Sequence, residues 1–350
     1  MSVEKTVARW MATTSVSLAM VALLVTTAMV AGVAVAHAEP REVRVSYQFG
    51  LGFLPVIVVL QQALIEKRAR DAGLGDVKVS GLQLSGAAIT NDSLISNSID
   101  VASGGIGGLL QLWDKTKGNV KGIVAVNDMS YLLNTNDPSI QSLKDYVGKK
   151  DNKIALPAVK VGAHAIVLEM VAEKELGIGK QYDLDTLTMS LPHPDAYAAV
   201  VGEKSAIRSH LGSLPFSYLE LKHKGVHTVF SSYDELGSPI NNTLLYATSA
   251  WAGKNPKLLK AVFDAFVEAE AWITAHPDNA ASLFKTATKS KFELADLESM
   301  IRNKRLTGYA PDPKNTYMFA AFLHKIGRLQ TMPAGWKDYF FPIAHALDGS

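Results

Sequence analysis

The sequence contains no cysteine, and this absence excludes several kinds of protein at once. Without a thiol there is no lipid-anchored N-terminal cysteine, no disulfide framework, and no thiolate metal ligand or nucleophile. An excess of charge is also missing, because 35 basic and 33 acidic residues give a formal net charge of +2. That balance provides no electrostatic footprint for nucleic acid, and we expect no DNA or RNA partner.

Motifs for nucleotide binding and for hydrolysis are missing as well. The glycine-rich run SGGIGG at 103–108 does not have the G-x-G-x-x-G spacing of a dinucleotide turn, and GEKS at 202–205 is not a P-loop. There is no G-x-S-x-G elbow and no H-E-x-x-H pair. His223 and His227 are four residues apart, but Gly225 lies between them and lysines flank His223. That context favours a solvated turn over a metal site, and we expect no metal, no cofactor and no enzymatic activity.

What is present begins with a segment typical of export. Lys5 and Arg9 precede an apolar stretch from about Val16 to Val35, which ends in AHA at 36–38. This pattern predicts a signal peptide over residues 1–38, cleaved after Ala38, and an exported protein. The alternative is an uncleaved anchor, because the apolar stretch is long enough to span a bilayer.

The remaining chain alternates short β-like runs with amphipathic helices, which is typical of an α/β protein with parallel sheet. A first series contains VRVSYQ, DVKVSGLQL, DVAS and VKGIVAV, with one long helix predicted over FLPVIVVLQQALIEKRARDAG. A turn-rich stretch at 134–139 opens a second series, and a turn cluster, YDELGSPINN, closes it before the strand TLLYATS and the final helices. The second series is therefore an insertion. We predict lobe I over 39–133 and 239–350, lobe II over 134–238, and a hinge of two crossing strands.

Ligands of open α/β sheets bind at the carboxyl ends of strands, which here carry the turns QFGLGF, ASGGIGG, LPAVKVGAH, LPHPDA and SHLGSLPF. Glycines in these turns let backbone approach a ligand closely, although ordinary helix starts and tight turns also use glycine. His164, His193 and His210 each lie in such a turn. Three histidines converging on one edge suit hydrogen bonding to an anion, while a lone histidine is more often structural.

The order of RVSYQ, SNSIDVASGGIGGLL, IALPAVKVGAHAIVLEM, LPHPDAYAAV and YATSAWAGKNPKLLKAVFDA resembles the periplasmic substrate-binding proteins of nitrate/sulfonate/taurine-type ABC importers. The resemblance covers about residues 41 to 345, including PAGWKDYFFP near the C-terminus. It implies a two-lobed type II periplasmic-binding-protein fold that closes on a small solute and presents it to a membrane permease. We expect a monomer.

Carried over by position, the resemblance places the ligand-binding residues in five loops. They are Gln48, Phe49, Gly50, Leu51, Ser103, Gly104, Gly105, Lys160, Val161, Gly162, His164, His193, Asp195, His210 and Ser213.

The expected ligand is a small organic anion, a sulfonate or carboxylate. A helix start in KVGAHAIVLEM offers free N–H groups, with Lys160 just before it and His164 just inside. Phe49, Leu51 and Phe53 suggest that the ligand has an apolar part. One alternative is a neutral heterocycle, such as a pyrimidine precursor, stacked on Phe49. Another is an enzyme of the same fold that resembles thiamin-pyrimidine synthases, whose cysteine-rich motif is missing here; a third is a membrane-anchored sensory domain.

Overall fold

The computed structural model describes residues 42–202 and 205–350, in which strands alternate with helices. The strands are β1 (Glu42–Tyr47), β2 (Lys78–Gln83), β3 (Ala102–Gly104), β4 (Val120–Met129), β5 (Leu132–Thr135), β6 (Lys153–Leu156), β7 (Thr188–Ser190), β8 (Ile207–Gly212), β9 (His227–Ser231), β10 (Asn241–Thr248) and β11 (Thr307–Gly308). The helices are α1 (Leu54–Gln61), α2 (Leu64–Asp71), α3 (Ala87–Ile95), α4 (Ile106–Lys115), α5 (Ala163–Leu176), α6 (His193–Val201), α7 (Phe216–Glu220), α8 (Ser232–Leu236), α9 (Ser249–Lys254), α10 (Pro256–Ala275), α11 (Pro277–Thr288), α12 (Leu294–Arg302) and α13 (Thr316–Lys325). The predicted signal peptide lies outside the described residues.

The strands form two main sheets joined by two passages of the chain. One sheet has the order β11-β4-β10-β3, and a bridge between Val45 and Val101 attaches the β1–β2 pair to it. The other has the order β7-β6-β8-β5-β9. The chain leaves the first sheet after β4, through residues 130–131, and returns to it before β10, through residues 237–240. These two passages confirm the predicted α/β fold with two crossing segments.

The expectation of parallel sheet is correct only in part. β1 pairs with β2, and β6 pairs with β7 and β8, in parallel. By contrast, β10 is antiparallel to β3 and β4, and β5 is antiparallel to β8 and β9. The difference follows from the crossings, because the chain that leaves the first sheet along β4 comes back along β10 in the opposite direction.

Two predicted local elements differ from the structure. The long helix predicted from Phe53 is divided into α1 and α2, because Ala63 between them adopts a left-handed conformation with φ of 51°. The turn predicted at 134–139 begins with the last residues of β5, Asn134 and Thr135. Asn134 is fully buried there, and its amide is satisfied because it donates to the Ser217 carbonyl oxygen at 2.7 Å.

The C-terminal part of the chain holds the helices of the two sheets together. Helix α13 packs on α4, which follows a strand of the first sheet, and on α5, which follows a strand of the second. Lys325 forms an ion pair with Glu173 of α5 at 2.6 Å, and Arg328 pairs with the nearly buried Glu169 at 2.5 Å. Removing one partner of a buried pair leaves an uncompensated charge, so Arg328 anchors this contact.

Candidate functional site

A cavity of about 50 Å³ lies between the two sheets, where the loops that follow their strands meet. Tyr131 of the first crossing and Asn242 at the start of β10 line it at the hinge. The complete lining is Gln48, Phe49, Gly52, Phe53, Ser85, Ala87, Gly105, Tyr131, Pro157, Ala158, Gly162, Ala163, His164, His193, Ser213 and Asn242. Because a cavity needs only about 10–15 Å³ to hold one water molecule, this volume admits a group of a few atoms.

Three helix N-termini from the two lobes border the cavity. Helices α3, α4 and α5 follow the N-cap residues Gly86, Gly105 and Gly162, and none of these caps makes a side-chain hydrogen bond. The N–H groups of a first helical turn have no partner inside the helix, and each helix start carries a partial positive charge of about 0.5. Among the described residues, no lysine, arginine or carboxylate side chain lines the cavity. Helix ends are therefore the source of positive potential at the cavity.

The glycines at 104–108 are explained mainly by close packing. A Cβ on Gly105 would lie 2.9 Å from the Cβ of Ala163, so the starts of α4 and α5 almost touch. A Cβ on Gly107 would lie 2.3 Å from Cδ1 of Ile166. The other two glycines pack against a tyrosine of β10. Gly105 lines the cavity, and the set as a whole lets α4 approach α5 and the sheet.

Two histidines meet at the cavity through one serine. Nε2 of His164 lies 2.7 Å from Oγ of Ser213, and Nε2 of His193 lies 3.2 Å from the same oxygen. The ring of Tyr131 stacks on His164 with 3.8 Å between ring centroids. The Tyr131 hydroxyl is buried and has no hydrogen-bond partner among the described residues. Since an unpaired buried hydroxyl costs free energy, a solute that bonds it recovers that cost.

A second layer of polar side chains supports these histidines. Nδ1 of His193 lies 2.8 Å from Nε2 of His210, and Nδ1 of His210 lies 2.6 Å from Oε1 of Glu220. His210 and Glu220 are both fully buried. The Asn134 amide donates to the second Glu220 oxygen at 2.9 Å. Glu220 is thus a buried carboxylate with a donor on each oxygen, which is the arrangement that makes burial tolerable.

Burial determines the charge of the two cavity histidines. Burial, together with a smaller contribution from the nearby His210, lowers the pKa of His164 to about 3. Burial also lowers the pKa of His193 well below its usual value, with His210 and His164 adding to the effect. Both rings are therefore neutral at physiological pH, so each has one nitrogen that donates and one that accepts.

The structure brings part of the predicted site together at the cavity. The predicted residues that line it are Gln48, Phe49, Gly105, Gly162, His164, His193 and Ser213. Gly50 lines a neighbouring groove, and His210 lies behind the cavity against His193.

The other predicted residues lie away from the cavity. Leu51 is buried in the core of the first lobe, while Ser103 and Gly104 are buried within β3. Val161 is partly buried next to the cavity without lining it. Lys160 and Asp195 are exposed. The Lys160 carbonyl oxygen accepts a hydrogen bond from Arg328 at 2.8 Å, which holds this turn while its side chain stays at the surface.

Sequence reasoning missed three residues that matter most to the geometry. Tyr131 lies in the hinge, three residues before the predicted lobe boundary. Asn242 belongs to the segment YDELGSPINN, which reads as a turn, although its last two residues begin β10. Glu220 ends the short helix α7 and meets His210 from ten residues along the chain. Consecutive asparagines before an apolar run were the only available signal for Asn242.

A larger groove adjoins the cavity and shares Gln48 and Phe49 with it. Its volume is about 590 Å³, within the usual range for ligand pockets. Both lobes contribute aromatic rings to it, namely Tyr47, Phe49, Tyr197, Phe216, Phe284 and Phe292. The small cavity therefore lies beside a groove that is rich in aromatic side chains.

His223 and His227 are engaged separately. His223 bonds the Tyr197 hydroxyl at 3.0 Å, and His227 bonds the Ile140 carbonyl oxygen at 2.6 Å. Within the described part of the chain, no group of three histidine or carboxylate side chains is arranged to hold a metal ion. In that same part, no helix combines the length and apolar character needed to cross a membrane.

Comparison with known proteins assigns the chain to a family and gives structural neighbours for its fold. The model of the NMT1-like family matches residues 36–288, and no curated protein sequence matches the chain. Among solved structures, the chain is similar to the periplasmic aliphatic sulphonate binding protein SsuA of Escherichia coli, with 17% identity, a TM-score of 0.62, and coverage of 86% of this chain and 98% of that one. It is similar to the alkanesulfonate-binding protein SsuA of Xanthomonas axonopodis pv. citri bound to MOPS, with 14% identity, a TM-score of 0.65, and coverage of 89% and 100%. It is also similar to the nitrate-binding protein NrtA of Synechocystis PCC 6803, with 16% identity, a TM-score of 0.65, and coverage of 89% and 86%. These likenesses confirm the predicted two-lobed periplasmic-binding-protein fold, and the three proteins are named as binding proteins rather than enzymes.

Proposed function

This chain belongs to the NMT1-like family, and we propose that it is the solute-binding component of an ABC importer, which captures a small organic anion between its lobes in the periplasm and delivers it to a membrane permease. The lobes are those predicted from the sequence, 39–133 with 239–350, and 134–238. The observation that carries the proposal is the convergence of three uncapped, glycine-initiated helices on one cavity. Such helix ends bind anions through backbone N–H groups without a charged side chain.

The groove supports the organic part of the proposal. A bare inorganic ion needs only the cavity, whereas the aromatic groove next to Phe49 offers a place for an apolar tail. Sulfonates and carboxylates combine such a tail with a compact charged head. Gln48, whose side chain bonds no other described residue, and the unpaired Tyr131 hydroxyl provide polar contacts for the head.

One observation favours a second candidate, a neutral nitrogen heterocycle. No cationic side chain among the described residues lines the cavity, and His164 is neutral there. A heterocycle can hydrogen-bond the free ring nitrogen of His164 and stack against Phe49.

A thermal-shift screen of the mature protein separates the two candidates. The probes are methane-, butane- and hexanesulfonate, the matching carboxylates, nitrate, and pyrimidines. We expect organic anions to raise Tm, because a ligand at a hundredfold excess over its Kd stabilises the folded state by about 2.7 kcal/mol. The gain should grow along the alkyl series, by at most about 0.8 kcal/mol per buried CH₂. A Tm that rises only with uncharged heterocycles would refute the anion assignment.

Two alanine variants form a matched pair for the same screen. His164→Ala removes a cavity side chain and should weaken binding by roughly tenfold, the value of one hydrogen bond of about 1.4 kcal/mol. Lys160→Ala changes an exposed side chain and should bind as the natural protein does. If Lys160→Ala loses binding and His164→Ala keeps it, the site is not the cavity described above.

Export is tested by the N-terminus of the mature protein. Cleavage after Ala38 leaves Glu39 as the first residue. Mass mapping of the protein from a periplasmic extract should therefore give a chain of residues 39–350. Recovery of residues 1–38 in washed membranes would show that the segment is kept as an anchor.

A further inference from the structure

His164, Ser213, His193, His210 and Glu220 form one continuous chain of hydrogen bonds from the cavity into the core of the second lobe. One end is His164, whose Nε2 bonds Ser213 and whose Nδ1 bonds no other described residue. The other end is the carboxylate of Glu220. Every residue of the chain has at most 8% of its surface exposed, so bulk water has little access to these bonds.

The protons of these five hydrogen-bonded side chains can be arranged in two ways, and each arrangement is one filling of the hydrogen-bond chain. In the first, Nδ1–H of His210 donates to Glu220 and Nε2 of His210 accepts from Nδ1–H of His193. Nε2 of His193 then accepts from the Ser213 hydroxyl, whose oxygen accepts from Nε2–H of His164. All three rings are neutral, Glu220 carries the charge, and Nδ1 of His164 is an acceptor.

The second filling contains one more proton and reverses three of the four bonds. Nε2–H of His210 donates to His193, Nε2–H of His193 donates to Ser213, and the Ser213 hydroxyl donates to Nε2 of His164. Nδ1 of His164 then carries a proton and becomes a donor. The added charge is balanced at the far end, where His210 and Glu220 share a proton across 2.6 Å. In both fillings every hydrogen bond of the chain is made.

The surroundings locate the extra proton at the His210–Glu220 end. Burial lowers the pKa of His164 and of His193, so neither ring is itself the cation. The other titratable groups nearby are Tyr131, stacked on His164, and Tyr197, whose pKa is raised by burial and by the charge of Glu220. His223 reaches the cluster only through the Tyr197 hydroxyl. Glu220 is the anion next to His210.

We propose that this chain couples solute binding to the uptake of one proton: an anionic head group selects the protonated filling, in which His164 offers Nδ1–H to the head and Glu220 is neutralised through His210. The proposal rests on the proposed function for the nature of the solute. The proton comes from solvent, and no bond other than N–H and O–H bonds is made or broken. Glu220 is a positioning residue, because it acts on the solute only through the histidines.

The free protein tests the relay without any solute. With ¹⁵N-labelled histidine, long-range ¹H–¹⁵N spectra identify which nitrogen of each ring carries the proton. Between about pH 9 and pH 5, His164 should change from the Nε2–H to the Nδ1–H form and His193 from Nδ1–H to Nε2–H, in one shared transition. Rings that titrate independently, or that keep one tautomer throughout, overturn the proposal.

Calorimetry tests the coupling with butanesulfonate and butanoate as probes. Repeating the titration near pH 8 in buffers of different ionisation enthalpy should give an uptake of about one proton per solute, with affinity falling about tenfold per pH unit. Glu220→Gln should abolish the uptake and this slope, whereas Glu175→Gln, which alters an exposed carboxylate of α5, should keep both. Binding with no proton uptake overturns the inference and leaves the proposed function standing. Tautomers that switch together without binding of either probe refute the proposed anion instead, and with it the coupling. If Glu220→Gln does not fold, the natural protein's proton uptake and spectra decide.

Discussion

Replacing Glu270 with leucine is expected to stabilise the protein, and to do so most at alkaline pH. Glu270 lies on α10 with 1% of its surface exposed, and neither of its carboxylate oxygens has a hydrogen-bond partner in the part of the chain that the structure describes. Burial raises its pKa well above the usual value, with Asp312 adding to the shift and Lys314 opposing it. A buried carboxyl without a hydrogen-bond partner costs more than an apolar side chain of similar size even when it is protonated, so leucine should contribute about 1–3 kcal/mol.

The sign of the pH dependence follows from the raised pKa. Below the ordinary glutamate pKa the carboxyl is protonated in both the folded and the unfolded states, so ionisation of Glu270 contributes nothing to the effect of the mutation there. As the pH rises, the unfolded chain ionises first while the folded chain keeps the proton, so the natural protein loses stability towards alkaline pH. Thermal unfolding at about pH 5 and pH 8.5 should therefore show a larger gain for Glu270→Leu at the higher pH.

Glu268 on the same helix gives a control of opposite sign. Although burial alone would raise the pKa of Glu268, hydrogen bonds from Lys67 and Arg68 outweigh it and lower the pKa. Glu268→Gln should therefore lose a little stability above the ordinary glutamate pKa and nothing in acid. An equal gain for Glu270→Leu at both pH values would show that Glu270 has a partner that neutralises it.

Local patterns predicted the elements that position the site. Helix α5 (Ala163–Leu176) begins inside KVGAHAIVLEM, where the sequence predicts a helix start, and a glycine N-cap and a glycine C-cap mark its ends. Strand directions were harder to predict, since a strand can pair either way until the whole chain path is known. Residues 241–242 show the same limit, because two asparagines read as a turn until Asn127 and Thr243 provide buried partners for one of them.

The site itself could be predicted only where the chemistry is local. The histidine turns were found because histidine after a strand is visible in the sequence, and His164 and His193 do line the cavity. Lys160 precedes the same helix, but it occupies a turn with φ of 66° and its side chain is exposed. Glu220 carries no signal, because its role depends on α7 folding back on β8. Long-range pairing of this kind is a property of the fold and not of a motif.

Replacing Gly107 with alanine is expected to weaken solute binding and to destabilise the closed form. In an open helix position, glycine to alanine is favourable by up to about 1 kcal/mol. At Gly107 the new Cβ would lie 2.3 Å from Cδ1 of Ile166 and 2.9 Å from the Val161 carbonyl oxygen. The side chain of Ile166 can move, but the carbonyl is backbone, so α4 must move away from α5. Overpacking of this kind costs about 1–3 kcal/mol.

The displacement should open the cavity, because the starts of α4 and α5 are the two N-termini that face each other at Gly105 and Ala163. We expect butanesulfonate to bind at least about tenfold more weakly, which corresponds to 1.4 kcal/mol. X-ray scattering with saturating solute should also give a larger radius of gyration than for the natural protein.

Gly253→Ala in α9 is the matched control, since a Cβ there meets no atom within 4 Å. Ile166→Val combined with Gly107→Ala should recover part of the affinity, because it removes the closer of the two contacts and leaves the carbonyl. Unchanged binding in Gly107→Ala would mean that α4 and α5 do not need to meet for the solute to be held.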